Sequence, residues 1–150
     1  MATVDELRQH AELLASKHNI RLLYAAYIHD DESCSQWTKR QVWMPPITTE
    51  RIYATALHEM GHMVAPGGLS RERIAMYKAG MRTYRDAPID FMLAEERAAW
   101  QWARENALEW TEPMMENEAT SMKTYTDEKL RQAKRRLYRH YVKLLGMDTK

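Results

Sequence analysis

The sequence predicts a single α+β domain spanning residues 1–150, and three observations predict it. The length of 150 residues is that of one ordinary domain able to bury one core. One stretch, Ile20 to Met44, is rich in β-branched, aromatic and leucine residues in short runs, whereas the remainder carries apolar residues at helical spacing. All five prolines stand between those runs, at 45, 46, 66, 88 and 113, where they punctuate the chain into elements.

Val4 to His18 reads as the first helix, with Val4, Leu7, Ala11, Leu14 and Ala15 on one side, Asp5 and Glu6 in the first turn, and Asn19 as its stop. Ile20 to His29 suits a short buried strand. Asp30 to Ser35 suits a polar turn. Gln36 to Met44, with Trp37, Val42 and Trp43, suits a second strand and hairpin partner of the first. Pro45-Pro46 ends it, because neither proline can donate to a ladder. Thr48 or Thr49 can cap a helix running to about Ala65, stopped by Pro66-Gly67-Gly68. Ser70 begins a shorter helix to about Tyr84. Ala87-Pro88 is a break, Asp90 a cap, and a long helix follows to about Trp110. Glu112-Pro113 breaks the chain again. From about residue 126 to 145 a basic amphipathic helix carries Leu130, Ala133, Leu137, Tyr138, Tyr141, Val142 and Leu145 on one face.

Composition excludes several classes. The chain is 45% apolar and 29% charged, and no apolar run approaches the roughly 20 residues that span a bilayer. MATVDELRQH lacks the basic and then apolar segments of a signal peptide. The single cysteine, Cys34, cannot form an internal disulfide and reads as a free surface thiol. A cytoplasmic protein with no membrane partner is the expectation. The net charge of +1 hides an asymmetry: Lys123 to Lys150 holds 9 basic and 3 acidic residues, against 13 basic and 18 acidic before it.

The chemistry concentrates in TALHEMGHMV, Thr55 to Val64, which contains H-E-x-x-H as His58, Glu59 and His62. Four residues are close to one helical turn, so both imidazoles project toward one point, where a zinc ion suits two histidine nitrogens. Glu59 stands beside the first histidine, positioned to take a proton from an activated water without itself holding the metal. About one shuffled sequence in fifty of this composition contains the motif, so its uncharged dress (Ala56, Leu57, Met60, Gly61, Met63, Val64) matters as much as its letters. Gly61 costs about 1 kcal/mol against alanine inside a helix, which points to another backbone or a substrate passing close by. A catalytic zinc needs a third protein ligand and an open position. Ala65 and Gly68 stand where an extended motif would continue with glycine and histidine, so the third ligand is expected to be a carboxylate of the next long helix. LAEERAAWQWA, Leu93 to Ala103, offers Glu95 and Glu96.

HEMGH followed by a glutamate, Ala99 and Trp102-Ala103 resembles the ImmA/IrrE-type gluzincin zinc metallopeptidases, many of them encoded by phages and mobile elements, over about residues 20–103. The resemblance implies a zincin-like fold with a small sheet, an H-E-x-x-H helix and a second helix bearing a glutamate. It implies Zn²⁺ held by His58, His62 and Glu96, with Glu59 as the catalytic base. Glu95 is the competing register, and Asp90 is a further carboxylate whose simpler role is a helix cap. The strand at Gln36 to Met44 would lie beside the zinc helix and offer its edge to an extended peptide.

Weaker signals have blander readings. Trp100, Trp102 and Trp110 suit core packing with indole N–H groups at the rim better than a substrate pocket. Tyr53, Tyr77 and Tyr84 could each polarise a carbonyl, though structural roles suit most of them. Lys134, Arg135, Arg136 and Arg139 suit a solvated helix whose Leu/Tyr face packs on the domain. The expected function is hydrolysis of a peptide bond in a protein or peptide substrate, with narrow specificity for a regulatory protein. The alternative is a non-catalytic module of the same fold, whose basic C-terminal helix binds nucleic acid or a partner protein.

Overall fold

The computed structural model of the chain describes residues 1–28, 33–36, 39–65 and 88–144. They form an α+β fold of five helices and a three-stranded mixed sheet: α1 (Val4–Lys17), β1 (Arg21–Tyr24), β2 (Cys34–Gln36), β3 (Gln41–Met44), α2 (Glu50–Val64), α3 (Ile89–Asn106), α4 (Glu112–Thr126) and α5 (Glu128–Leu144). The helix expected at 70–84 lies outside the described residues.

Helix α1 starts at a reciprocal cap, in which the Thr3 hydroxyl accepts from the Glu6 amide at 3.2 Å and the Glu6 carboxylate accepts from the Thr3 amide at 2.7 Å. It buries Leu7, Ala11 and Ala15, spaced one turn apart. Asn19 ends it as expected, through a left-handed residue (φ 57°) that lets Ile20 N–H reach Ala15 O at 2.8 Å and Asn19 N–H reach Ser16 O at 3.2 Å. The Arg40 side chain donates to the carbonyls of His18 and Asn19, and Arg21 N–H donates to Arg40 O, so the helix end and the sheet share one anchor.

The sheet corrects the expected hairpin. Its order is β1-β3-β2, with β1 parallel to β3 (Leu22 opposite Val42) and β2 antiparallel to β3 (Ser35 opposite Val42). The run Gln36–Met44 is not one strand: the chain reverses between Gln36 and Gln41, where Arg40 has φ 50°, and the local hairpin is β2–β3. With Val42 and Met44 fully buried, β3 is more deeply buried than β1 and takes the centre. Its edges are therefore both paired, and the strand edge beside α2 belongs to β2 instead.

Thr49 caps α2, its hydroxyl accepting from Ile52 N–H at 3.1 Å. From Tyr53 to Met63 every residue of α2 except Glu59 is buried, so this helix runs through the core and not along its surface. Around it gather Leu7, Val42, Met44, Trp100, Ala103 and Met114 from α1, β3, α3 and α4. Asp90 is not the cap of α3: Pro88 holds that position without a side-chain bond, and Asp90 lies exposed in the first turn. Glu112-Pro113 is not simply a break. It opens α4, because a first-turn proline gives up an N–H that has no helical partner anyway. Of the apolar face expected on the last helix, Leu145 and the side chains of Tyr138, Tyr141 and Val142 lie outside the described residues. None of the described side chains of α5 is buried, and Leu130 and Leu144 are 44% and 59% exposed.

Candidate metal centre

His58 and His62 stand one turn apart on α2, their Nε2 atoms 2.8 Å from each other. Glu96 of α3 spans the pair, with Oε1 3.2 Å from His58 Nε2 and Oε2 2.8 Å from His62 Nε2. All three side chains are buried, Glu96 almost completely. Glu95, the preceding residue, is buried as well.

Gly61 explains how a carboxylate reaches two histidines of another helix. A Cβ built at Gly61 would lie 2.5 Å from the carbonyl oxygen of Ala99 and 3.0 Å from its Cα. The backbones of α2 and α3 thus touch at this point, and the close approach expected of Gly61 is to another backbone. His58 and His62 flank Gly61 by three and one residues, and Glu96 precedes Ala99 by three. One contact therefore brings ligands of both helices to the same face.

The surroundings fix the protonation state. Burial pushes His58 down from 6.5 to about 3; the neighbouring His62 adds to this and Glu96 opposes it. His58 is neutral at pH 7, which is the form that offers a lone pair to a metal. Its ring is held edge-on by Trp100, at 4.1 Å between centroids and 70° between planes, and Trp110 packs on Trp100 in turn. Trp102 turns away to pack against His18 at 5.8 Å. The three indoles are packing groups, as expected, but not with their N–H groups at the rim: those of Trp100 and Trp110 are buried and meet no acceptor among the described residues.

One ligand atom each from His58, Glu59 and His62 lies within 4.8 Å of the others, so this group could hold a metal ion. The donor set fits one. The two imidazole nitrogens and the Glu96 oxygens sit 2.8 to 3.2 Å apart. A tetrahedral ion with bonds of about 2.0–2.1 Å keeps its donors about 3.4 Å apart, so a spread of a few tenths of an ångström admits it.

Of the tyrosines considered for the site, Tyr53 is committed elsewhere. Its hydroxyl is 2.8 Å from His10 Nδ1 and accepts from Leu108 N–H at 3.0 Å, and burial pushes its pKa up to about 12. Tyr77 and Tyr84 lie outside the described residues. Asn117 of α4, by contrast, went unread in the sequence. Its Nδ2 donates to the Arg51 carbonyl at 2.9 Å and to the Thr55 hydroxyl at 2.8 Å, which pins α2 one turn ahead of His58. The apolar spacing of Met114, Met122 and Tyr125 behind a first-turn proline is the signal that would have placed it on a helix.

No protein-family model, curated protein or solved structure matches the chain. What fold and site define is an α+β protein with a buried histidine–glutamate group able to hold a metal ion.

Proposed function

We propose that the chain is a zinc-dependent metallopeptidase of the gluzincin kind, with His58, His62 and Glu96 holding the ion and Glu59 as general base. The observation that carries this reading is the Glu96 carboxylate, which meets both histidine Nε2 atoms within 3.2 Å. Two imidazoles and one carboxylate are the donor set of a zinc site that keeps a position open for chemistry. Bound zinc would supply a Lewis acid able to polarise a carbonyl and to lower the pKa of water toward about 7.

The chain's own residues divide the remaining work. Glu59 adjoins His58 on α2, and its carboxylate lies within 4.8 Å of the histidine nitrogens, within reach of a water at the site. Its carboxylate takes a proton from the attacking water and returns it to the nitrogen of the leaving amine, so one water and one peptide give an acid and an amine. Gly61 and Ala99 hold the two helices in register. Trp100 keeps water from one side of His58. An extended substrate would align along β2, the sheet edge beside α2. Narrow specificity for a regulatory protein is part of this proposal.

Metal analysis of the purified chain tests the reading. About one zinc per chain is expected, lost in His58→Ala and Glu96→Gln. Glu59→Gln keeps the zinc but cleaves no member of a peptide library that the wild type cleaves. A wild type that stays metal-free after reconstitution with zinc would sink the proposal.

A further inference from the structure

Helix α5 is built unlike the rest of the molecule. Over Glu128–Leu144 it carries seven Lys or Arg residues and one acid, Glu128, a formal charge of +6 in 17 residues. The remainder of the chain is net −5, since the whole is +1. Leu130, Leu137 and Leu144 recur at intervals of seven and so stay on one side, with Ala133 beside them. Arg139 lies half a turn away from Leu130, and Lys129, Arg136 and Lys143 form a row on the flank. Helix α4 is its principal neighbour, yet Leu130 and Leu144 remain 44% and 59% exposed. A helix of this length gains most of its stability from burying an apolar face, and here the leucines at its two ends stay largely exposed while Leu137 between them is half-buried.

We propose that α5 is a docking element for an anionic lipid surface, lying in the plane of the interface with its leucines among the acyl chains. Such a surface accounts for both features at once: apolar for the leucine row, negative for the flanking row of Lys129, Arg136 and Lys143. A second copy of the chain does not. It would set +6 against +6, and one side of a helix about 25 Å long buries at most about 800 Å² in total, short of the roughly 1,200 Å² of a stable dimer. Nucleic acid would meet the charge and leave the leucines in water. The helix is too short and too polar to cross a bilayer, and lying on one requires neither length nor continuous apolarity.

The test is co-sedimentation of the full chain with phosphatidylcholine vesicles, with and without about 30% phosphatidylglycerol, at about 0.15 M salt. Binding to the anionic vesicles is expected to exceed binding to the neutral ones by at least about tenfold. The triple variant Leu130→Glu, Leu137→Glu, Leu144→Glu loses that binding, and Lys129→Glu, Arg136→Glu, Lys143→Glu loses it too. Circular dichroism and metal content unchanged from wild type show that both variants fold. A wild type that ignores both kinds of vesicle overturns the proposal. So does a leucine variant that binds as well as wild type, which would mean a polyanion such as duplex DNA is the ligand. A dimer in equilibrium sedimentation, abolished by the leucine changes and unaccompanied by vesicle binding, overturns it in favour of self-association.

Discussion

Helices α2 and α5 are 15 and 17 residues long, and each is amphipathic in sequence, but they sit in the molecule in opposite ways. Helix α2 is enclosed on nearly every side by α1, the sheet, α3 and α4, and its only partly exposed position from 53 to 63 is Glu59. Helix α5 leans on α4 and buries none of its described side chains. The contrast teaches that helical periodicity reports a face and leaves its partner open. In α2 the partner is the protein's own backbone at Ala99. In α5 the leucine row is only partly covered, with Leu130 and Leu144 largely exposed and Leu137 half-buried.

Three perturbations break or sharpen that contrast. The largest is acidification of the metal-free protein. His58 is neutral in the fold, with its pKa near 3, and protonates near 6.5 when unfolded. The unfolded chain therefore binds the proton first as pH falls. Stability is complete above about 6.5 and is lost on the way down to about 3, by an amount on the order of 5 kcal/mol. Urea melts of the apo-protein at successive pH values should show this loss, and His58→Gln should flatten it. Next is Gly61→Ala. Open space would let alanine stabilise the helix by about 1 kcal/mol. Against the Ala99 carbonyl, the added methyl forces two backbones apart, and a net destabilisation of about 3 kcal/mol is expected in a denaturant melt. The smallest effect is Leu144→Ala in α5, within about 0.5 kcal/mol, because the side chain it truncates is already in water. A change above 2 kcal/mol there would mean that the leucine row is covered in solution.

The legible parts of this molecule are those with a local cause. Asn19 as a helix stop and Pro45-Pro46 as the end of a strand follow from backbone chemistry and stand as read, and of the two candidate caps Thr48 and Thr49 the structure selects Thr49. The pairing of the strands did not follow, because parallel β1–β3 and antiparallel β3–β2 differ only in where a turn falls, and Arg40 in a left-handed conformation carries no glycine to announce it. Helix α4 was hidden by a proline that opens it. At the site, the pair His58 and His62 and the adjacent Glu59 are a matter of spacing along one helix. That Glu96 reaches them depends on Gly61, whose helix-breaking cost points to a close crossing, while the choice of Glu96 itself comes only from the family resemblance. The indole of Trp100 on His58 and the amide of Asn117 on Thr55 depend on three-dimensional packing, and no spacing rule encodes either.

The Tyr53 hydroxyl has one more consequence, for the order in which the molecule can come apart. A phenol has a single proton. The Tyr53 oxygen accepts from Leu108 N–H at 3.0 Å and lies within hydrogen-bond distance of His10 Nδ1, at 2.8 Å, so one hydroxyl serves two partners. The hydroxyl thereby stitches residue 10 to residue 108, and the Ala2 amide bonded to the Glu109 carboxylate adds a second stitch beside it. Helix α1 cannot peel away without freeing the turn after α3. Residues about a hundred positions apart are thereby coupled, and the amide of Leu108 finds its partner in Tyr53 of α2, which His10 of α1 contacts in turn.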